Sequence, residues 1–435
     1  KNFLKDTSLL IWTTTPWTIP GNRAVAYGSE IDYVVIKATK TSKDSLAKKN
    51  ERLLVASSLL DKALAEMGIS EFDKEETFRG SDLEGTICEH PLRGKGYEHD
   101  VPAVSGDFVT VEAGTGFVHI APGHGEDDFQ LGKKHDLEIP KTVGPDGKFY
   151  ETVPIFSGKH VYKVDSEIIE LLKDCEKLKS VGKTTHSYPH SWRSKAPLIF
   201  RITPQWFISL SKNNLRKRAL DAVEKVLWFP KASKNRIKSM IEARPDWCIS
   251  RQRAWGVPIP IFVNKKTNEL LLDKKVFSRI VKTIEKGGVD SWFLKDPSHL
   301  LSPEYNPEDY EFEKNILDVW FDSGCTHSFV LEGRKDLQSP ASLYLEGSDQ
   351  HRGWFHSSLL ESVGTRDQAP YQAVLTHGFV LDVKGRKMSK SLGNVISPQD
   401  IIEKYGADVL RLWVSLSDYT EDLRIGNETM QQLSD

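Results

Sequence analysis

Through roughly the first 160 positions, apolar and β-branched residues come in short runs broken by turn formers. Residues 9–14, 33–36 and 108–111 each read as a strand, with Gly21, Gly114, Gly116, Pro122, Gly123 and Gly125 punctuating between them. Residues 56–67 read as a helix. Residues 166–178 read as another, because apolar positions 168, 169, 171, 172, 175 and 178 recur at helical spacing. From about position 215 the pattern changes. Helical stretches at 215–226 and 234–243 alternate with short apolar runs at 258–262, 316–321, 343–346 and 373–375. Strands separated by helices predict βα units and a parallel sheet. Charged sequence over 263–311 interrupts that alternation and reads as an insertion. Near the end, Ser397-Pro398-Gln399-Asp400 has the form of an N-cap, a first-turn proline and a first-turn acid. A helical region continues from it.

Composition narrows the class. A chain of 435 residues makes two to four domains at about 150 residues each. With 39% hydrophobic residues, 19 Phe, 12 Tyr and 11 Trp, it has the core of globular domains, not the make-up of a disordered chain. A net charge of −2 excludes a histone-like basic coat. Local basic runs at 212–218, 231–238 and 251–253 keep a nucleic-acid partner open, and equally read as solvated helix faces. The four cysteines stand far apart without a C-x-x-C pair, so neither a disulfide framework nor a cysteine zinc site is signalled. No apolar run of about 18 residues and no leader pattern appear, so no membrane span and a cytoplasmic location are expected. The first residue is Lys1, and a fragment of a longer protein is expected.

Two constellations carry chemistry. Lys387-Met388-Ser389-Lys390-Ser391 places two lysines three apart among small hydroxyl residues, a loop suited to following charge onto a leaving pyrophosphate. Upstream, Tyr344-Leu345-Glu346-Gly347-Ser348-Asp349-Gln350-His351-Arg352-Gly353-Trp354 sits between a strand and a helix, where open α/β sheets bind ligands. Thr376-His377-Gly378 marks a second strand end. Trp320 and Trp354 read on residue type either as walls of an apolar pocket or as core. At the other end, Trp12-Thr13-Thr14-Thr15-Pro16-Trp17-Thr18 packs hydroxyls together, and Asn22 follows. The run from Gly114 to Phe129 adds Gly-rich backbone, His119, His124 and an acidic cluster. Hydroxyls with an anchoring carboxylate suit an aminoacyl ester and an attacking water, with a general base from His or from the substrate's own hydroxyl. A Thr-rich strand chosen for packing remains the plain alternative.

These motifs together resemble the class I aminoacyl-tRNA synthetases, and within them the isoleucyl enzymes. The resemblance covers nearly the whole chain. It implies an α/β protein in which a β-rich editing domain, inserted as a connective module, joins the second half of a Rossmann-type parallel-sheet catalytic domain and then a helical segment. The implied divisions are 1–183 for editing, 184–262 for the return segment and resumed catalytic sheet, 263–311 for a smaller insertion, 312–385 for the rest of the catalytic half, and 386–435 for the signature loop and a stem-contact region.

It also implies roles. Glu346 contacts the aminoacyl-adenylate. Gly347, Asp349, Gln350 and His377 lie around adenosine and ribose. Lys387, Met388, Ser389, Lys390 and Ser391 bind ATP, and Trp320 and Trp354 wall the isoleucine pocket. In editing, Asp128 grips the α-ammonium. Thr13, Thr14, Thr15 and Asn22 line the terminal adenosine and ester, and His119 meets the small side chain. The implied partners are ATP with Mg as a substrate complex, isoleucine, its tRNA, and valine-charged tRNA as the editing substrate, acting on a monomer. Thr15 and Trp17 stand where valyl and leucyl enzymes carry an arginine and an acid, so those two subtypes, with a freestanding editing protein, are the alternatives. In His186-Ser187-Tyr188-Pro189-His190-Ser191-Trp192-Arg193, some relatives carry zinc-binding cysteines where this chain has Ser191 and then Ser194, so no zinc is expected. The family's His-x-Gly-His signature and its anticodon-binding helices are absent, and the chain by itself is expected not to form isoleucyl-adenylate. Two sites have a physical reason to coexist: one methylene separates isoleucine from valine, worth about 1–3 kcal/mol in an apolar pocket.

Overall fold

The computed structural model describes residues 2–191 and 194–435, while the side chains of Asn2 and Ser391 lie outside the described residues. Trp192 and Arg193 of the return segment, and the expectation placed on the Ser391 side chain, therefore fall outside it. The chain divides into two units, 1–204 and 205–435.

In the first unit the strand Asp32–Thr41 is central. It pairs antiparallel with Arg52–Ala56 and with Ile69–Arg79, while Thr7–Leu9 adds in parallel to the outer edge of Arg52–Ala56. Tyr33 to Ile36 are all buried because a core that includes Leu53, Val55, Leu64 and Met67 packs around them. A second sheet runs in the order Ile87–Glu89, Asp100–Ser105, Ala24–Tyr27, Phe117–Ile120. Ala24–Tyr27 pairs in parallel with Asp100–Ser105 and antiparallel with Phe117–Ile120. Helices Leu60–Met67, Glu126–Lys134 and Asp165–Asp174 complete the unit's α content.

Two expected strands differ. At 9–14 the strand stops at Leu9, because the Thr13 hydroxyl accepts from the Thr15 amide at 3.1 Å and turns the chain before Pro16. At 108–111 the chain turns instead, with the Val109 amide bonded back to the Gly106 carbonyl at 3.2 Å and Phe108 and Val111 exposed.

In the second unit three strands form a parallel sheet, in the order Leu227–Phe229, Ala373–His377, Tyr344–Gly347. Residues of helices Leu215–Glu224, Ser233–Glu242 and Trp354–Arg366 share one core with its strands. Leu227–Phe229 is too short to show periodicity and was not expected. The run 316–321 splits into a strand at Ile316–Leu317 and a helix at Val319–Gly324, because the Asp318 carboxylate caps the helix by accepting from the Trp320 amide. At 258–262 only Pro258 bridges to Ile316. Pro258 and Pro260 have no amide proton to give a ladder, and the strand starts at Phe262 instead. The 263–311 stretch has its own small core, built around Trp292, Val276, Ile280 and Leu301. Ser397 caps Pro398–Tyr405 as the sequence predicts, and Gly406, at φ +88°, separates that helix from Ala407–Leu416.

The Tyr33 hydroxyl is buried, donates to the Gly116 carbonyl at 2.7 Å and accepts from the Gly28 amide at 3.0 Å. Tyr33→Phe leaves both backbone groups without their partner. It is expected to destabilise the protein by about 1–3 kcal/mol in urea denaturation.

Candidate functional sites

In the first unit the threonine loop leads into a short helical turn, Pro16–Gly21, and from there into the strand Ala24–Tyr27. Asn22 sits between them, buried. Its Nδ2 donates to the Ala24 carbonyl at 2.9 Å and lies 3.3 Å from the Ile120 carbonyl, so the amide nitrogen faces the ring of His119. Asn22 Nδ2 lies 2.6 Å from His119 Nδ1, which must therefore accept. The ring proton is then on Nε2, which donates to Thr18 Oγ1 at 2.9 Å, and the Thr18 hydroxyl donates on to the Thr15 carbonyl at 2.9 Å. Burial, then His90 and His124, push the His119 imidazole down to about 3. It is a neutral ring with both nitrogens engaged, fit to form a wall and unfit to draw a proton from water.

Thr13 and Thr15 touch through their hydroxyls at 3.4 Å, and Thr14 lies exposed between them. Asp128 is in the first turn of Glu126–Lys134. Its Oδ2 accepts from the Ala121 amide at 2.7 Å, two residues beyond His119. A Cβ on Gly125 would come within 2.9 Å of Asp128 Oδ1, so the bare glycine leaves the carboxyl its place. Burial pushes this carboxyl up to about 6 against that hydrogen bond. The structure thus links Thr13, Thr15, Asn22 and His119 and sets Asp128 at the end of the same strand. Thr18 and His124 were present in the sequence motifs but were given no role there. Thr18 had a local signal, three residues after Thr15. The role of His124 had no local signal, since its partners are distant: Nδ1 donates to the Phe200 carbonyl, and its ring meets buried Trp17 edge-on at 4.9 Å.

In the second unit Glu346 and His377 are at the carboxyl ends of adjacent parallel strands, with Glu346 opposite Thr376 and Gly347 opposite His377. A Cβ on Gly347 would meet Asp349 Oδ1 at 2.8 Å and His377 Cε1 at 3.5 Å, so both side chains border the space that the bare glycine leaves. Gln350 accepts from the Trp354 amide at 2.9 Å. The Trp320 ring lies where a Cβ on Gly353 would be, 2.6 Å away, and is 41% exposed. Trp354 stacks on Tyr344 at 4.1 Å and donates to Thr326 Oγ1 at 2.9 Å. Trp320 therefore offers an open face, and Trp354 a braced one.

The lysine loop hangs from Asp382, a residue the sequence reading missed. Its carboxylate accepts from the amides of Lys384 (2.9 Å) and Arg386 (2.8 Å), from Arg386 Nε (2.9 Å) and from Asn394 Nδ2 (2.9 Å). Asn394 Oδ1 in turn accepts from the Ser389 amide at 2.9 Å. The Asn394 and Arg386 hydrogen bonds hold Asp382 well below the usual carboxylate range. Met388 packs into the small core around Ile401 and Trp413, Lys387 Nζ lies 5.0 Å over the Phe379 ring, and Lys390 is exposed. Among the described residues no group of three or more His, Cys, Asp or Glu is placed to hold a metal ion, and no helix is long and apolar enough to cross a membrane.

Strand-end acid, strand-end histidine and a lysine loop on a parallel sheet define a class, and the comparisons agree. The family model of class I tRNA synthetases (I, L, M and V) matches residues 32–426, and the chain belongs to that family. It is 53% identical over 432 residues to the isoleucine–tRNA ligase of Pelagibacter ubique, covering 99% of this chain and 47% of that protein. It is also 53% identical over 441 residues to the isoleucine–tRNA ligase of Gluconobacter oxydans, covering 99% and 46%. The chain spans about half the length of the curated relatives it matches. Among solved structures, the ternary complex of Agrobacterium radiobacter K84 LeuRS with tRNA and LeuAMS is similar at 15% identity and TM-score 0.36, covering 97% of this chain and 44% of that one. Superposition that loose adds nothing to the family assignment.

Two outcomes follow from this geometry. Nitrogen NMR of His119 should show the neutral Nε2–H tautomer, unchanged as the pH falls from about 8 to about 5. Asp382→Asn puts an amide donor against Arg386 Nε and Asn394 Nδ2. Hydrogen exchange at the Lys384, Arg386 and Ser389 amides should then accelerate by roughly tenfold or more.

Proposed function

We propose that this chain provides the editing domain and the later half of the catalytic domain of an isoleucine–tRNA ligase, with residues 1–183 editing and 184–435 contributing to activation. The observation that supports it most directly is the hydrogen-bonded chain Thr15–Thr18–His119–Asn22 beside Asp128, in the same polypeptide as strand-end Glu346 and the Lys387–Ser391 loop. Its high identity to two isoleucine–tRNA ligases supports the choice of amino acid.

In the editing site, valine-charged tRNA is the substrate. Asp128, ionised, takes the α-ammonium, and the threonine hydroxyls with Asn22 hold the terminal adenosine and ester. His119, with no free nitrogen, limits the room for the side chain. The proton of the attacking water then passes through the substrate's own free ribose hydroxyl, the remaining candidate base, to the ribose oxygen that leaves as the ester C–O bond breaks. In the activating site Trp320 and Trp354 enclose the isoleucine side chain, Glu346 takes the ammonium of isoleucyl-adenylate, and Gly347, Asp349, Gln350 and His377 surround the nucleoside. Lys387 and Lys390 follow the charge that builds on pyrophosphate, and Mg arrives with ATP as its substrate complex. We place the enzyme in the cytoplasm, as a monomer serving the tRNA for isoleucine.

The test is hydrolysis of valyl-tRNA by this chain. Asp128→Ala should lower kcat/KM by roughly a hundredfold or more, the scale of losing a charge-paired anchor in a dry site. The binding form of Asp128 is the carboxylate and its ordinary value is raised to about 6, so kcat/KM should fall roughly tenfold per unit below about pH 6. Unaltered hydrolysis in Asp128→Ala refutes the assignment.

A further inference from the structure

The turn Pro16–Gly21 carries the end of the threonine loop, and its first backbone donor is met from far away. Thr15 stands at the N-cap position, where a threonine hydroxyl ordinarily accepts from the amide two or three residues on. Here it makes no such bond. Pro16 has no amide proton, and the Thr18 amide goes to the Thr15 carbonyl at 3.0 Å. The Trp17 amide remains, and it donates to Asp165 Oδ1 at 3.2 Å, across 148 positions of the chain.

Packing fixes Asp165 in that place. It is the first residue of the helix Asp165–Asp174, whose Ile168 and Leu172 share one core with Trp17 and Ile19. The helix and the turn are therefore held together by buried side chains, and the Trp17–Asp165 hydrogen bond closes the seam between them. The positive end of the helix favours a carboxylate there. Burial pushes this carboxyl up from its ordinary value, and the Trp17 amide pulls it back.

The consequence falls on Thr15. Its hydroxyl lies 3.4 Å from that of Thr13, and its side chain is half-buried at the loop where the ester is placed above. Its carbonyl takes the Thr18 hydroxyl, to which His119 Nε2 donates. Were the Thr15 hydroxyl to cap its own turn, it would be committed to the backbone and lost to a substrate.

We propose that Asp165 is a positioning residue of the editing site: it caps the turn Pro16–Gly21 in place of Thr15, and so keeps the Thr15 hydroxyl for the aminoacyl ester and terminal adenosine. This role rests on the editing reading of residues 1–183. Asp165 reaches the substrate only through Thr15.

The experiment pairs valyl-tRNA hydrolysis by the full chain with NMR of the Thr15 side chain in the absence of substrate. Asp165→Ala frees the Trp17 amide, and the Thr15 hydroxyl should turn to it. Hydrolysis should lose roughly tenfold in kcat with KM within about twofold, since a reacting group is misplaced while the remaining contacts stay. Asp165→Asn keeps an oxygen acceptor, its amide nitrogen can face water, and its kcat should stay within about twofold of the unaltered chain. In a Thr15→Ala background, Asp165→Ala should cost less than about twofold more, because the residue it acts through is gone; a purely structural role would keep its full cost there. Three-bond couplings to the Thr15 methyl carbon should report a changed χ1 rotamer in Asp165→Ala and the original one in Asp165→Asn. The proposal is overturned by an unchanged kcat in Asp165→Ala, by an Asp165→Asn as impaired as the alanine variant, by a full loss in the Thr15→Ala background, or by an unchanged Thr15 rotamer. If the unaltered chain hydrolyses no valyl-tRNA, the editing reading fails, and if Thr15→Ala alone abolishes hydrolysis the double variant has no signal; in either case the rotamer decides the capping role by itself.

Discussion

The chemistry of the second unit depends on the register in which Tyr344–Gly347 pairs with Ala373–His377. Parallel pairing ends both strands at the same edge, and the match of Gly347 with His377 delivers Glu346 and the imidazole there together. Side chains alternate along a strand, so a slip of one residue would turn Glu346 to the other face of the sheet. Tyr344 resists that slip. It is buried, stacked on Trp354, set against Tyr371, and hydrogen-bonded to Ser358 at 3.1 Å. Beyond the strand, Gly378 lets the backbone pass where any Cβ would sit 2.2 Å from the Glu421 carbonyl, and its amide is held by the Tyr419 carbonyl. The lysine loop begins from that fastening.

Two aspartates show how surroundings divide one residue type between two tasks. Asp382 receives two backbone amides, an arginine and an asparagine, and is held far on the ionised side. Such a carboxylate is a scaffold: its negative charge is spent on shaping a loop. Asp128 receives the Ala121 amide and is otherwise desolvated, which raises it to about 6. A carboxylate short of partners gains most from a cation placed beside it, which is what a substrate ammonium supplies. His119 follows the same logic in reverse. Two engaged nitrogens and burial take away its basicity and leave its shape.

The glycines and prolines act through what they exclude. Gly125, Gly347 and Gly353 each stand where a side chain would strike a site residue: Asp128, Asp349 or the Trp320 ring. Pro258 and Pro260 deny the neighbouring strand its donors and leave that segment bridged only at Ile316. Local backbone chemistry of this kind decides where a site is open and where a sheet stops.

Much was legible in the one-dimensional pattern. The helices at 60–67, 165–174, 215–224 and 233–242 are written in apolar spacing, and the strand at 33–36 in continuous β-branched and aromatic residues. The α/β class and the family follow from motifs whose parts are close in the chain: a lysine loop, a strand-end acid, a threonine run. Short strands were not legible, because three residues such as Leu227–Phe229 carry no period and become a strand only when Ala373–His377 offers its edge. Nor was the 108–111 run, whose β-prone residues found no partner. The tautomer of His119 was settled by Asn22, ninety-seven residues away, and the close seat of the Glu361 carboxyl by Gly324 on another helix. Local propensity and spacing reside in neighbouring residues. Protonation, hydrogen-bond partners and cavities arise only where distant segments meet and water is excluded.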